Sequence, residues 1–233
     1  MLRAVLFDLY ETLVTESLTL PAGVSSLAPE FGCERESFRR RWKALRPAVI
    51  LGQVSFRDAL ESITAALGCR ADGATLQRVC DERTRTKAEP FSRIEDQVLI
   101  MIEALRSRNL RLGVISNCCA EDVAAWPHCS LGSRFDCAVF SFQVRMAKPD
   151  PNIYMEAIGR LRVKVSETWF IGDGGNDELS GAEQAGLRAF KALWFIRRWP
   201  HFREEPSSFP SFATVEEVVS LTEQALGPSH TPS

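Results

Sequence analysis

Short apolar runs alternate with longer amphipathic stretches over most of the chain. The apolar runs have the length and residue types of buried strands, and they fall at residues 4–7, 112–115, 138–140, 169–171 and 189–192. Stretches with helical periodicity lie between the later runs, at residues 96–107, 152–161 and 178–185. Strands that alternate with helices indicate an α/β fold with a doubly wound, parallel sheet.

Residues 15–91 break this alternation. Three helical segments follow one another there without a strand, at residues 38–45, 56–67 and 76–86. We therefore predict a Rossmann-like core made of residues 1–14 and 92–226, interrupted by an inserted α-helical cap at residues 15–91. Residues 227–233, rich in proline and serine, are expected to form a flexible tail.

The composition is that of an ordinary globular protein. Of 233 residues, 45% are hydrophobic and 25% are charged, and the formal net charge of −2 gives no reason to expect nucleic acid as a partner. No apolar stretch is long enough to span a membrane and none resembles a secretion signal. The seven cysteines lack metal-site spacing, so reduced thiols in a cytoplasmic protein are expected. The expected partner is a small-molecule substrate, and the protein is expected to be a monomer or homodimer.

Polar residues follow the predicted strands at the edge where ligands bind in such sheets. Asp8 follows the first strand, and Ser116 and Asn117 follow the second. Lys148 lies in a later loop, and a stretch from Asp173 to Asp177 follows the fourth strand. Each group alone is as easily a turn or a helix cap as a catalytic residue. Their order along the chain is more informative than any one of them.

These four groups resemble, in order, the four motifs of the haloacid dehalogenase superfamily, and the helical insertion resembles the type 1 cap of that family. The resemblance covers nearly the whole chain. It implies that Asp8 is a nucleophile and that Ser116 and Lys148 bind the group under attack. It also places Asn117 beside the substrate.

Several carboxylates at one sheet edge repel one another unless a cation lies between them. Mg²⁺ suits a site built of hard oxygen ligands. The expected ligands are Asp8, Asp173, Asp177 and the backbone carbonyl of Tyr10. Asp177 has a second interpretation, since a carboxylate at a helix start also satisfies free backbone donors.

Tyr10 departs from the phosphatase pattern. Phosphatases of this superfamily usually carry a second aspartate two residues after the nucleophile, which acts as acid and base. Tyrosine there, followed by Thr12, is similar to the 2-haloacid dehalogenases, which need no metal. Tyr154 also fits that pattern, and one arginine among residues 39–41, with Arg41 as our candidate, would bind a halide or carboxylate.

The fourth motif argues the other way. Dehalogenases tend to have serine followed by asparagine where this chain has Asp173 followed by glycine. Phosphonoacetaldehyde hydrolases and ion-pumping ATPases, which are metal-dependent members, also lack the second aspartate. Three hypotheses remain: a magnesium-dependent phosphatase in which Thr12 or a water compensates for the missing acid, a metal-independent 2-haloacid dehalogenase, and a binding protein without turnover.

Overall fold

Six parallel strands form one sheet in the order β3-β2-β1-β4-β5-β6 in the computed structural model, which describes residues 1–16, 23–200, 202–203 and 207–227. The strands are β1 Ala4–Phe7, β2 Arg111–Ser116, β3 Cys137–Phe140, β4 Thr168–Gly172, β5 Arg188–Ala192 and β6 Ser211–Phe212. The five predicted strands are confirmed. With two residues, β6 is too short to show any alternation in sequence.

Helices cover both faces of this sheet. They are α4 Asp96–Ser107, α5 Ser141–Val144, α6 Pro151–Leu161, α7 Glu178–Gln184 and α8 Val215–Leu226. Val5 and Phe7 of β1 pack in one hydrophobic cluster with α4 and α8, whereas Ala4 and Leu6 pack in another with α6 and α7. Successive strand residues point to opposite faces, so a strand that is apolar throughout is buried on both. The doubly wound α/β fold is confirmed.

Three α-helices lie between β1 and α4. They are α1 Arg35–Ile50, α2 Phe56–Ala66 and α3 Gly73–Ser92, and a 3₁₀ helix precedes them at Val24–Phe31. We call residues 24–92 the helical insertion. Its helices share a hydrophobic cluster of their own around Phe38, Leu60 and Ile63. The domain boundaries after residues 14 and 91 stay predictions, and residues 17–22 of the predicted cap and 228–233 of the predicted tail lie outside the described residues.

Side-chain caps explain where the three helices of the insertion begin. Glu34 accepts hydrogen bonds from the first backbone amides of α1, Ser55 from an amide of α2, and Asp72 from an amide of α3. These residue types satisfy amides that have no partner inside a helix. Within the described ranges, no helix is both long and apolar enough to cross a membrane.

Two cysteines correct the expectation of reduced thiols throughout. Cys33 and Cys69 form a disulfide within the helical insertion, with their Cα atoms 5.7 Å apart and 36 residues between them in sequence. Both belong to or pack against the hydrophobic cluster of the insertion. Spacing alone could not reveal the pair, because the two cysteines are brought together only when the helices of the insertion pack in their shared hydrophobic cluster. Five other cysteines in the described ranges are free thiols.

Candidate active site

The site lies where the order of strands reverses. From β1 the chain moves to β2 and β3 on one side, and then to β4, β5 and β6 on the other. Beyond the carboxyl ends of β1 and β4 such a sheet leaves a crevice in which ligands bind. Asp8 follows β1 and Asp173 follows β4, and the two strands are hydrogen-bonded neighbours. The Asp8 amide donates to the Ile171 carbonyl at 2.9 Å, which extends this pairing to the first residue after the strand.

A buried lysine links two of the carboxylates. The Lys148 ammonium, 4% exposed, donates to Oδ1 of Asp8 and to Oε2 of Glu178. The other oxygen of Glu178 accepts from the Gly174 amide at 3.0 Å. A Cβ atom on Gly172 would collide with this carboxylate, so glycine at that position makes room for Glu178.

Three carboxylates converge at this point. Asp8, Asp173 and Glu178 each offer an oxygen, and those oxygens all lie within 4.8 Å of one another. One ammonium, that of Lys148, accompanies them, which leaves a surplus of two negative charges when all three are ionised. A set of hard oxygen donors with this surplus fits Mg²⁺. Asp177 is not part of the group, because its side chain is exposed and its backbone is left-handed (φ 56°).

Burial and the charges of neighbouring groups shift the pKa values of Asp8, Glu178 and Lys148. Burial raises the pKa of Asp8, and Asp173 adds to the rise, while Lys148 opposes it. Burial and then Asp8 raise the pKa of Glu178 well above its ordinary range. Burial by itself would lower the pKa of Lys148, but Asp8 and Glu178 outweigh it and raise that pKa. The lysine is therefore held as a cation, and a second cation would favour ionised carboxylates.

Three further predicted residues lie at the same edge of the sheet. Ser116 ends β2 and is buried. Asn117 uses both ends of its amide on the backbone of Lys148, with Nδ2 donating to the carbonyl at 2.7 Å and Oδ1 accepting from the amide at 2.8 Å. Thr12 is buried, and its hydroxyl donates to Oδ2 of Asp8 at 3.4 Å. Asn117 thus positions Lys148, and Thr12 contacts the second oxygen of Asp8.

The Tyr10 side chain is engaged away from these carboxylates. Its hydroxyl donates to the Asp122 carbonyl at 2.5 Å, and its ring packs edge-on against Phe91 with centroids 6.2 Å apart. Burial, and then Asp122 and Glu16, raise the pKa of Tyr10 well above its ordinary range. At neutral pH the phenol is therefore protonated and cannot act as a base.

A cleft of about 460 Å³ lies between the sheet edge and the helical insertion, and Asp8, Lys148, Asp173 and Glu178 are not among the residues that line it. Tyr10 and Asn117 are in its wall on the side of the sheet, and the helical insertion supplies much of the rest. The wall from the insertion includes Trp42, Arg46, Arg83 and Lys87. The predicted Arg41 is exposed and lies on another face of α1.

Glu178 is the residue that reasoning from sequence missed. It follows directly after Asp177, and both carboxylates are equally plausible in a stretch after β4. The backbone determines which of the two joins the other carboxylates. Gly174, Asn176 and Asp177 all have positive φ, and the resulting turn leaves Glu178 as the first residue of α7. Tyr154, whose hydroxyl donates to the Glu178 carbonyl at 2.6 Å, holds that turn against α6.

Comparison with known proteins gives a consistent result. A family model for haloacid dehalogenase-like hydrolases matches residues 2–186. The chain is 27% identical over 97% of both chains to a phosphoglycolate phosphatase of Xanthomonas campestris pv. campestris (strain 8004). It is 30% identical over 84% of both chains to (S)-2-haloacid dehalogenase 2 of Pseudomonas sp. (strain CBS-3). A crystal structure of 2-haloacid dehalogenase from Pseudomonas syringae pv. Tomato DC3000 has the same fold, with a TM-score of 0.66 and 22% identity over 95% of this chain and 98% of that one.

Proposed function

Because the chain belongs to the haloacid dehalogenase-like hydrolases, we propose that it is a magnesium-dependent phosphatase of a small phosphorylated metabolite, with Asp8 as the nucleophile. We expect it to act in the cytoplasm, as a monomer or homodimer. The full-length similarity to a phosphoglycolate phosphatase agrees with this proposal.

The observation that carries the proposal is the convergence of Asp8, Asp173 and Glu178. Three carboxylates would repel a monoanionic haloacid, and its hydrolysis does not need them. Hydrolysis of a phosphate dianion bound together with Mg²⁺ does need carboxylates, because they bind the metal ion. The ligands that we propose are these three side chains and the Tyr10 carbonyl. The ion, when bound, would neutralise phosphate charge and favour in-line attack.

The protein's own residues then account for the bond changes. An oxygen of Asp8 attacks phosphorus, the ester P–O bond breaks, and the alcohol leaves as an aspartyl-phosphate forms. Lys148 and the Ser116 hydroxyl stabilise charge on the phosphoryl oxygens, and Thr12 orients Asp8. Water then attacks the phosphorus, which releases inorganic phosphate and restores the carboxylate.

Proton transfer to the leaving group is the step for which position 10 offers no acid, because Tyr10 stands where phosphatases of the family usually carry an aspartate. The Tyr10 hydroxyl is committed to the Asp122 carbonyl, so we propose that a water supplies this proton. General acid–base catalysis contributes about 10²- to 10⁴-fold in rate. We therefore expect turnover to be slow and leaving groups of low pKa to be preferred.

The second candidate is the metal-independent 2-haloacid dehalogenase. Tyr10 and the 30% identity to an (S)-2-haloacid dehalogenase favour it. Asp8 would then displace halide from carbon, and water would hydrolyse the resulting ester. Asp173 and Glu178 have no role in that chemistry.

A side-by-side assay tests the two. Release of phosphate from a panel of phosphate esters and of chloride from 2-chloropropionate are measured with Mg²⁺ and with a chelator. The variants are Asp8→Asn, which keeps the shape but removes the nucleophile, and Asp96→Asn as a control in an exposed position of α4. We expect phosphate release that needs Mg²⁺, is lost in Asp8→Asn and is unchanged in Asp96→Asn. Chloride release that survives chelation would establish the dehalogenase instead, and unchanged turnover in Asp8→Asn would exclude both.

A further inference from the structure

A buried serine joins the helical insertion to the loop that follows β2. Ser141 is the first residue of α5, and its side chain is fully buried. Its hydroxyl donates to the Ile50 carbonyl at 2.8 Å and accepts from the Cys118 amide at 3.0 Å. The Cys118 carbonyl is a second acceptor for the same proton, at the longer distance of 3.2 Å. One hydroxyl therefore connects two parts of the backbone that are far apart in sequence.

The end of α1 needs a partner from outside the helix. Ile50 is the last residue of α1, and the last carbonyls of a helix have no amide partner within it. The Ser141 hydroxyl supplies a donor to this carbonyl. Two residues further on, Gly52 has a φ of 63°, and a Cβ atom there would collide with the Phe142 carbonyl. The end of α1 and the start of α5 are therefore in close contact at two neighbouring points.

The same hydroxyl holds the loop that positions Lys148. Cys118, whose amide donates to Ser141, directly follows Asn117 in sequence. Asn117 binds both the carbonyl and the amide of Lys148. The Lys148 ammonium in turn contacts the carboxylate of Asp8. Only hydrogen bonds and one peptide link separate the end of α1 from the proposed nucleophile.

We infer that Ser141 is a positioning residue, which couples the place of the helical insertion on the sheet edge to the orientation of Lys148 against Asp8. Its effect on turnover rests on the proposed phosphatase function, whereas its effect on the Lys148 backbone does not. The alternative is that Ser141 only satisfies the backbone groups of a buried loop. Its loss would then lower stability but leave turnover and the Lys148 backbone as they are in wild type, so the coupling needs a direct measurement.

Two variants disturb this junction from opposite sides. Ser141→Ala removes the hydroxyl, and Gly52→Ala moves the end of α1 away from Phe142 without changing the serine. The control is Thr64→Val, which removes another buried hydroxyl of the insertion, one that donates to the Leu60 carbonyl within α2 at 2.9 Å. Thermal unfolding of each variant checks that folding is intact, and Gly52→Ala decides by itself if Ser141→Ala does not fold.

Two measurements are made on each protein. The first is kcat for hydrolysis of p-nitrophenyl phosphate with Mg²⁺. The second is hydrogen exchange of the Lys148 amide, followed by NMR without substrate. In the structure this amide donates to Asn117 Oδ1 at 2.8 Å, so its exchange reports directly whether the contact between Asn117 and Lys148 is kept.

We expect kcat to fall by about 10-fold or more in Ser141→Ala and in Gly52→Ala, because a small displacement of a catalytic group is costly. The Lys148 amide should exchange faster in both variants. Thr64→Val should remain within about 2-fold of wild type in both measurements, since its hydroxyl has no partner at the junction.

Unchanged kcat or unchanged exchange in Ser141→Ala overturns the inference, as do equal losses in Thr64→Val. Losses in Ser141→Ala without any in Gly52→Ala overturn the coupling to the insertion. Failure of the wild type to release phosphate overturns the proposed function instead, and the exchange of the Lys148 amide then still decides the coupling.

Discussion

At the scale of single residues, the decisive change is from Asp177 to Glu178. The sequence predicted two fourth-motif ligands, Asp173 and Asp177, whereas the structure groups Asp173 with Glu178, which is buried against Lys148, and leaves Asp177 exposed. The Glu178 carboxylate accepts from Lys148 and from the Gly174 amide, so both of its oxygens are ordered before any ligand arrives. Preorganisation of this kind is what a metal or phosphate site requires.

The pair gives a matched test of the proposed metal site. Glu178→Gln keeps the size of the side chain but removes one proposed ligand charge, so we expect the Mg²⁺ concentration for half-maximal phosphatase activity to rise about 10-fold or more. Asp177→Asn removes a charge of the same kind next to it and should change that concentration less than about 2-fold. Magnesium titrations of activity decide the matter, and the reverse ranking would restore Asp177 as the ligand.

At the scale of elements, the site depends on how closely α7 approaches the loop that carries Lys148. Gly181 of α7 has the backbone of Pro149 directly against it, so that a Cβ atom would collide with the Pro149 carbonyl. Gly159 of α6 is also helical, but a Cβ atom there would meet nothing within 4 Å. The two glycines therefore have opposite physical roles.

Alanine substitutions at these two positions should have opposite signs. Gly181→Ala should lower the free energy of unfolding by about 1–3 kcal/mol, because α7 must move away from Pro149. Gly159→Ala should raise it by about 0.5–1 kcal/mol through helix propensity. Urea unfolding measures both changes. A Gly181→Ala protein as stable as wild type would show that α7 does not lie as close to the Pro149 backbone as the structure indicates.

At the scale of the whole molecule, charged contacts hold the helical insertion over the sheet edge. Arg83 of α3 donates to Asp122, which follows β2, and both side chains are largely buried at 18% and 13% exposure. Asp122 also accepts from the Cys119 amide at 3.0 Å and, through its carbonyl, from Tyr10. The ion pair thus joins the insertion to the loop that carries Asn117 and to the residue two positions after Asp8.

Removing one partner of this pair should be costly. Asp122→Asn leaves Arg83 largely buried without its counter-charge, and we expect the free energy of unfolding to fall by about 1–3 kcal/mol. The control is Glu156→Gln in the more exposed pair with Arg160, at 37% and 39% exposure, where a loss below about 0.5 kcal/mol is expected. Chemical denaturation compares them, and equal losses at the two sites would show that the Arg83 pair does not hold the insertion.

The pattern of apolar and polar residues was enough to predict the architecture, and the resemblance of its motifs singled out Asp8 as the proposed nucleophile. Strands that are apolar throughout can lie only in a sheet covered on both faces, which is why residues 4–7 and the four later runs could be assigned without coordinates. The same alternation predicts that the carboxyl ends of the strands meet at one edge of the sheet. That prediction was enough to group Asp8, Ser116 and Lys148 in one candidate site. Their proposed roles came from the resemblance of these groups, in their order along the chain, to the four motifs of the family.

Which neighbouring side chains face each other became apparent only from the folded structure. The turn formed by three residues with positive φ brings Glu178, and not Asp177, to the carboxylates. The rotation of α1 about its axis places Arg46, and not Arg41, in the wall of the cleft. The packing of the insertion brings Cys33 next to Cys69. Each choice depends on a rotation or turn of one residue, which the apolar pattern does not encode, because that pattern records only which positions are buried.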